Sequence, residues 1–113
     1  MINKMQAIAN TLSSCQHKFL FIVVGTNTVN KQCNLMAIFE TKDHVNNCIN
    51  KINNKIGNAM SIDVVKIKLE EDTAIYLMNN FYKPIVLDEF LILDNVYKHY
   101  KIDNSCNWIE INQ

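Results

Sequence analysis

Arginine is absent from this chain of 113 residues; all eleven basic residues are lysines, and eleven acids bring the formal net charge to zero. Arginine is the planar fork that grips phosphate, carboxylate and guanine. Without it, and without a positive balance, the composition argues against a dedicated nucleic-acid binder. Glycine is scarce, with two residues, and proline occurs once, which is not the make-up of a disordered chain or a linker. No apolar run approaches the ~20 residues that a transmembrane helix needs. No charged-then-apolar leader opens the sequence and no Asn-x-Ser/Thr acceptor occurs, so neither secretion nor membrane attachment is expected. The four cysteines, Cys15, Cys33, Cys48 and Cys106, contain no CxxC and follow no regular spacing. Reduced thiols in an intracellular setting, the cytoplasm or a virus particle, are the expectation. Val23-Val24-Gly25-Thr26 lacks the further glycines and the Lys-Ser/Thr pair of a phosphate loop.

Asparagine, isoleucine and lysine are plentiful instead. That bias is what an AT-rich coding sequence produces, as in some large DNA viruses, protozoa and bacteria. Nearly half of the residues are hydrophobic, enough for one domain spanning residues 1–113 with a real core.

Residues 18–57 organise the chain. Phe19 to Val24 form an unbroken apolar run ending at Gly25, which fits a strand buried on both faces. Thr26 to Gln32 is polar and Asn-rich, as a hairpin loop should be, and Leu35 to Phe39 reads as a second strand. The loop is too short for a crossover helix, so the pair should be antiparallel. A helix over about residues 41–56 follows. Thr41 suits its N-cap, Asp43 its positive end, and Gly57 its stop. Val45, Cys48, Ile49, Ile52 and Ile56 share one apolar face, and the asparagines 46, 47, 50, 53 and 54 fall opposite. Asparagine is a mediocre helix former, so docking on a sheet must hold the helix together.

Around this unit the pattern weakens. Ile2, Met5, Ile8, Ala9 and Leu12 give a short N-terminal helix that Ser13 and Ser14 should end, with a docking arm as the alternative use. Val65 to Leu69 alternates as a half-exposed strand, with Lys66 and Lys68 wet and protecting an edge. Glu70, Glu71 and Asp72 read as a solvated helix start rather than a metal cluster, because consecutive residues rarely converge on one point. Residues 73–82 lean towards a helix; residues 85–93, beyond Pro84, stay open between strand and helix. Val96 to Ile102 and Trp108 to Asn112, joined by Asp103-Asn104-Ser105-Cys106-Asn107, read as a terminal hairpin. The expected architecture is α+β: a mostly antiparallel sheet of four to five strands with the main helix on one face and the short N-terminal helix beside it.

Candidate chemistry is sparse. Cys15 with His17, and His44 with Cys48, offer two thiols and two imidazoles, the donor set of tetrahedral zinc, though in no known module spacing. His44 and Cys48, one helical turn apart, also have the makings of a base and nucleophile, but a residue on the apolar face is a poor nucleophile. No catalytic residue, metal ligand or cofactor is assigned. The remaining feature is aromatic. Tyr97, Tyr100 and Trp108 fall in the terminal hairpin, with Val96, Lys98 and Tyr100 on one face if the strand alternates regularly. Such residues anchor protein interfaces more readily than they stack bases in a neutral, Arg-free chain. The expected function is therefore non-enzymatic: a structural or protein-interaction domain, of viral origin in the AT-rich reading, forming a dimer or an assembly subunit. An inhibitor of one host protein is the second reading, and a small metal-binding protein or enzyme using His44 and Cys48 the third.

Overall fold

A computed structural model describes residues 4–56, 59–81 and 83–111. In chain order the elements are α1 (Lys4–Ser14), β1 (Phe19–Asn27), β2 (Cys33–Phe39), α2 (Lys42–Ile56), β3 (Met60–Lys68), α3 (Glu71–Asn80), β4 (Pro84–Ile85), α4 (Leu87–Leu91), β5 (Val96–Ile102) and β6 (Trp108–Ile111). The strands form one sheet in the order β4-β2-β1-β3-β5-β6, antiparallel at every pair. The class is α+β, with six strands where four to five were expected. The additional one is the two-residue β4, too short to leave a period in the sequence.

The sheet is buried on both faces, which explains the unbroken apolar run of β1. Leu20, Ile22 and Val24 point to one side, where they meet Val65, Ile67 and Leu69 of the β3 segment. Leu12 of α1, Leu77 of α3 and Phe90 of α4 close that cluster. Val23 points to the other side, with Ile62, Val64 and Ile102, under Val45 and Ile49 of α2. The hydroxyl of Thr41 accepts the amide of His44 at 3.3 Å, which is the expected cap. Gly57, the expected stop, and Ile2 lie outside the described residues.

Several expectations need correcting. β3 is an interior strand between β1 and β5, so Lys66 and Lys68 guard no edge. β5 is also interior, and β6 is the edge at that end. The register between β3 and β5 shifts between Lys66 and Ile67. That bulge turns Val96 into the cluster beneath α3 and α4, so Val96 does not share a face with Tyr100. Cys48 is half-buried and stands outside the apolar cluster beneath α2, in which Val45 and Ile49 are the fully buried residues of that helix. The asparagines of α2 are not simply solvated. Asn46 accepts the indole N–H of Trp108 at 2.7 Å, and the Asn53 amide approaches the Cys106 sulfur at 3.2 Å. Helix α1 runs through Ser13 and Ser14 and packs on its own core rather than projecting as an arm. Residues 85–93 resolve into the end of β4 and the single-turn α4.

Gly25 sits beneath two methionine side chains. A Cβ there would overlap the sulfurs of Met36 and Met60, which lie over the backbone of β1. A larger residue there would require both methionine side chains to move, and no unusual backbone angle is involved.

Candidate functional site

The β3–β5 bulge also decides where Tyr97 goes. It brings the Tyr97 ring onto the α2 side of the sheet, against Phe19 of β1, with ring centroids 5.2 Å apart at 62°. Alternation along β1 and β3 places Phe19, Phe21, Lys66 and Lys68 on that same side. Helix α2 covers the half of this face nearer Val23, Ile62 and Val64, leaving the Phe19 end uncovered. Phe19 is 43% and Tyr97 60% exposed.

Lys66 occupies the centre of this end. Its ammonium lies 5.1 Å from the Phe19 ring, 5.3 Å from Tyr97 and 5.7 Å from Phe21. Each contact is a cation–π attraction of about 0.5–1 kcal/mol at an exposed site. No ion pair among the described residues involves Lys66. Its neighbours differ: Lys98 bonds Glu110 at 2.9 Å, and Lys68 lies 3.8 Å from Glu70. The hydrogen bond that the Lys98 ammonium donates to Glu110 holds it above the usual lysine pKa, with the carboxylate's charge adding to the effect. The rings and cations together make an apolar platform with one uncompensated positive charge in its middle.

Of the three expected interface residues, only Tyr97 is open. Tyr100 is half-buried and meets Trp108 edge-on at 5.2 Å. Trp108 is a strut between the hairpin and α2, bonded to Asn46, covered by the Lys42 ammonium at 4.6 Å and edged by Phe21 at 5.7 Å. Sequence reasoning passed over Phe19, Phe21 and Lys66. The period-two spacing of the two phenylalanines and of Lys66 with Lys68 was the available signal. It became legible only once β1 and β3 were known to be neighbours.

The metal constellation does not assemble. The Cys15 thiol donates to Glu40 at 2.7 Å, His17 pairs with Glu70 at 3.1 Å, and His44 packs beside the Phe39 ring at 6.4 Å. Among the described residues, no group of three or more His, Cys, Asp or Glu could hold a metal ion. Burial pushes the thiols of Cys15, Cys33 and Cys48 upwards in pKa, and at Cys15 the Glu40 hydrogen bond adds to the effect. That is the opposite of the activation a nucleophile needs.

The thiols make a prediction about alkaline pH. A thiol whose pKa is raised on folding stabilises the native state below its unfolded pKa, and that stability is lost as pH rises through the folded value. Stability is therefore expected to hold from neutral pH to about 9 and to fall above it. Chemical denaturation at stepped pH checks the trend, and Ellman's reagent should label Cys33 only as the chain unfolds. Rapid native-state labelling of Cys33 at pH 7 would contradict its placement in the core.

Among the described residues, the one buried ionisable pair is Asp63 with His99, at 2.6 Å between Oδ2 and Nε2. Asp63 also faces the Lys101 ammonium at 3.5 Å. Among the described residues, the buried His99 Nδ1 has no hydrogen-bond partner, so none of their hydroxyls or thiols stands where a nucleophile would complete a triad.

Comparison of the chain with protein-family models, with curated proteins and with solved structures finds no match.

Proposed function

We propose that the protein is a non-enzymatic interaction domain whose Phe19–Lys66–Tyr97 platform binds an acidic, partly apolar segment of a protein partner. The observation that carries this reading is the Lys66 ammonium, centred among three rings and without a carboxylate of its own. A partner carboxylate would supply the missing charge, and the flanking aliphatic groups would cover Phe19 and Tyr97. Tyrosine is a frequent anchor at such interfaces. The same geometry speaks against base stacking. Lys66 already lies over the ring faces, and Phe19 and Tyr97 are tilted by 62° rather than laid flat as a platform for bases. An assembly subunit, in a virus particle or elsewhere, and an inhibitor of one target protein would both use such a face.

The test is an NMR titration with a heptapeptide of alternating Glu and Val, its Gln-for-Glu counterpart and a ten-residue oligothymidylate. The Glu peptide is expected to shift the resonances of residues 19, 21, 66 and 97 in a salt-dependent manner. Lys66→Glu should weaken it by roughly tenfold or more, since like charge at an interface costs at least about 1.4 kcal/mol. The fold should survive, because Lys66 lies at the open end of the face. Shifts with the oligonucleotide alone would replace this reading with a nucleic-acid one. Silence with all three probes would remove the platform as a binding site for acidic segments.

A further inference from the structure

The opposite side of the sheet presents a different opportunity. β4 pairs with β2 only at Cys33 and Asn34. From Leu35 to Phe39, among the described residues, β2 has a strand partner on its β1 side alone. An edge of this kind presents unpaired amides and carbonyls to any extended chain. Natural edges are usually blunted by lysine, proline, a β-bulge or a covering element. The stretch Leu35-Met36-Ala37-Ile38-Phe39 contains no charge and no proline, and its one irregularity is the register shift that leaves Met36 as an extra residue opposite Val23 and Val24. β6, at the far edge, carries Glu110 and is four residues long.

A groove of about 180 Å³ runs along this open edge. Ala7, Ile8 and Thr11 of α1 and Phe81 line it, with residues 36–38 as its strand wall. The edge therefore offers backbone hydrogen bonds and an apolar slot side by side, which is the arrangement used in strand addition. Its occupant should be extended, apolar and uncharged.

We infer that β2 is a self-association edge, and that its occupant is β2 of a second copy of this chain. The five open residues match the specification they impose: apolar, uncharged and already held as a strand. A two-fold axis lets each copy provide both edge and occupant, as isologous dimers do. A net charge of zero removes the repulsion that would keep two copies apart. The interface lies at the β2 edge, one strand from Phe19 and Phe21 and three strands from Tyr97 of the proposed platform, so Tyr97 takes no part in it.

Sedimentation equilibrium of the full chain from 10 µM to 1 mM, with amide hydrogen exchange at both ends of the range, tests this (concentrations on the order of those at which weak dimers populate). A dimer is expected at the upper end, with concentration-dependent protection confined to residues 35–39. Ala7→Lys and Thr11→Lys, which place charge at the groove on the exposed side of α1, should weaken association by roughly tenfold or more while circular dichroism stays native. Tyr97→Lys should leave the dimer intact. A monomer throughout the range would overturn the inference. So would a dimer that is indifferent to both groove variants, or one whose protection maps to β5 and β6.

Discussion

Phe90→Ala is expected to lower the unfolding free energy by about 3–5 kcal/mol. Phe90 is fully buried, the largest side chain in the core to be so, and it stacks on Tyr76 with centroids 5.7 Å apart at 7°. It belongs to α4, a helix of five residues. A helix that short has no stability of its own, because nucleation is not recovered by so few hydrogen bonds. Phe90 therefore holds α4 in place, rather than α4 holding Phe90. Its loss opens a cavity between α3 and the sheet, and β4 with α4 should detach before the rest. The neighbouring control is Ile92→Ala. Ile92 is 78% exposed and its truncation should cost no more than about half a kcal/mol. Urea midpoints measure both. Equal shifts for the two variants would show that α4 presents a different face to the core.

Asp63→Ala is expected to cost about 1–3 kcal/mol by a different mechanism, the loss of a buried hydrogen-bond partner. Asp63 is 3% exposed and its two oxygens serve His99 and Lys101. Removing the carboxylate strands the His99 ring, whose Nδ1 already lacks a partner. Lys101 is half-exposed and can turn to water or keep its bond to Ser61 at 2.9 Å. The penalty thus falls mainly on the imidazole. The double variant Asp63→Val with His99→Val should recover most of the loss, since replacing both partners of a buried hydrogen bond by apolar groups can be nearly neutral. A double variant as unstable as Asp63→Ala would mean that the pair contributes specific stability beyond satisfying itself.

The main features of the fold were legible where a pattern repeats within one element. The apolar spacing of α2, the unbroken run of β1 and the turn chemistry of residues 103–107 each carry their own signal. Asp103 shows why: its carboxylate accepts the amides of Ser105 and Asn107 at 2.9 and 2.8 Å, so the turn is built locally. What was not legible depends on register between distant strands. Asp63 and His99 lie 36 positions apart and meet only because β3 and β5 pair. Tyr97 reaches Phe19 through a bulge that no alternation rule announces. The same bulge moved Val96 to the opposite side. The zinc grouping failed for a related reason. Cys15, His17 and His44 each have a partner that sequence spacing could not reveal: Glu40, Glu70 and the Phe39 ring.

The central claim is that a lysine cation sits among the rings of Phe19, Phe21 and Tyr97 on an open sheet face. Proton NMR of the isolated domain measures it directly. Ring currents at these distances should move the Lys66 ε-methylene protons well upfield of those of the other lysines, and nuclear Overhauser contacts should link the Phe19 and Tyr97 rings. Tyr97→Ala should return the Lys66 protons part of the way towards their ordinary position while the Trp108 indole signal, bonded to Asn46, stays put. Lys66 methylene shifts like those of a free lysine, with no contact between the two rings, would contradict the platform and the function built on it.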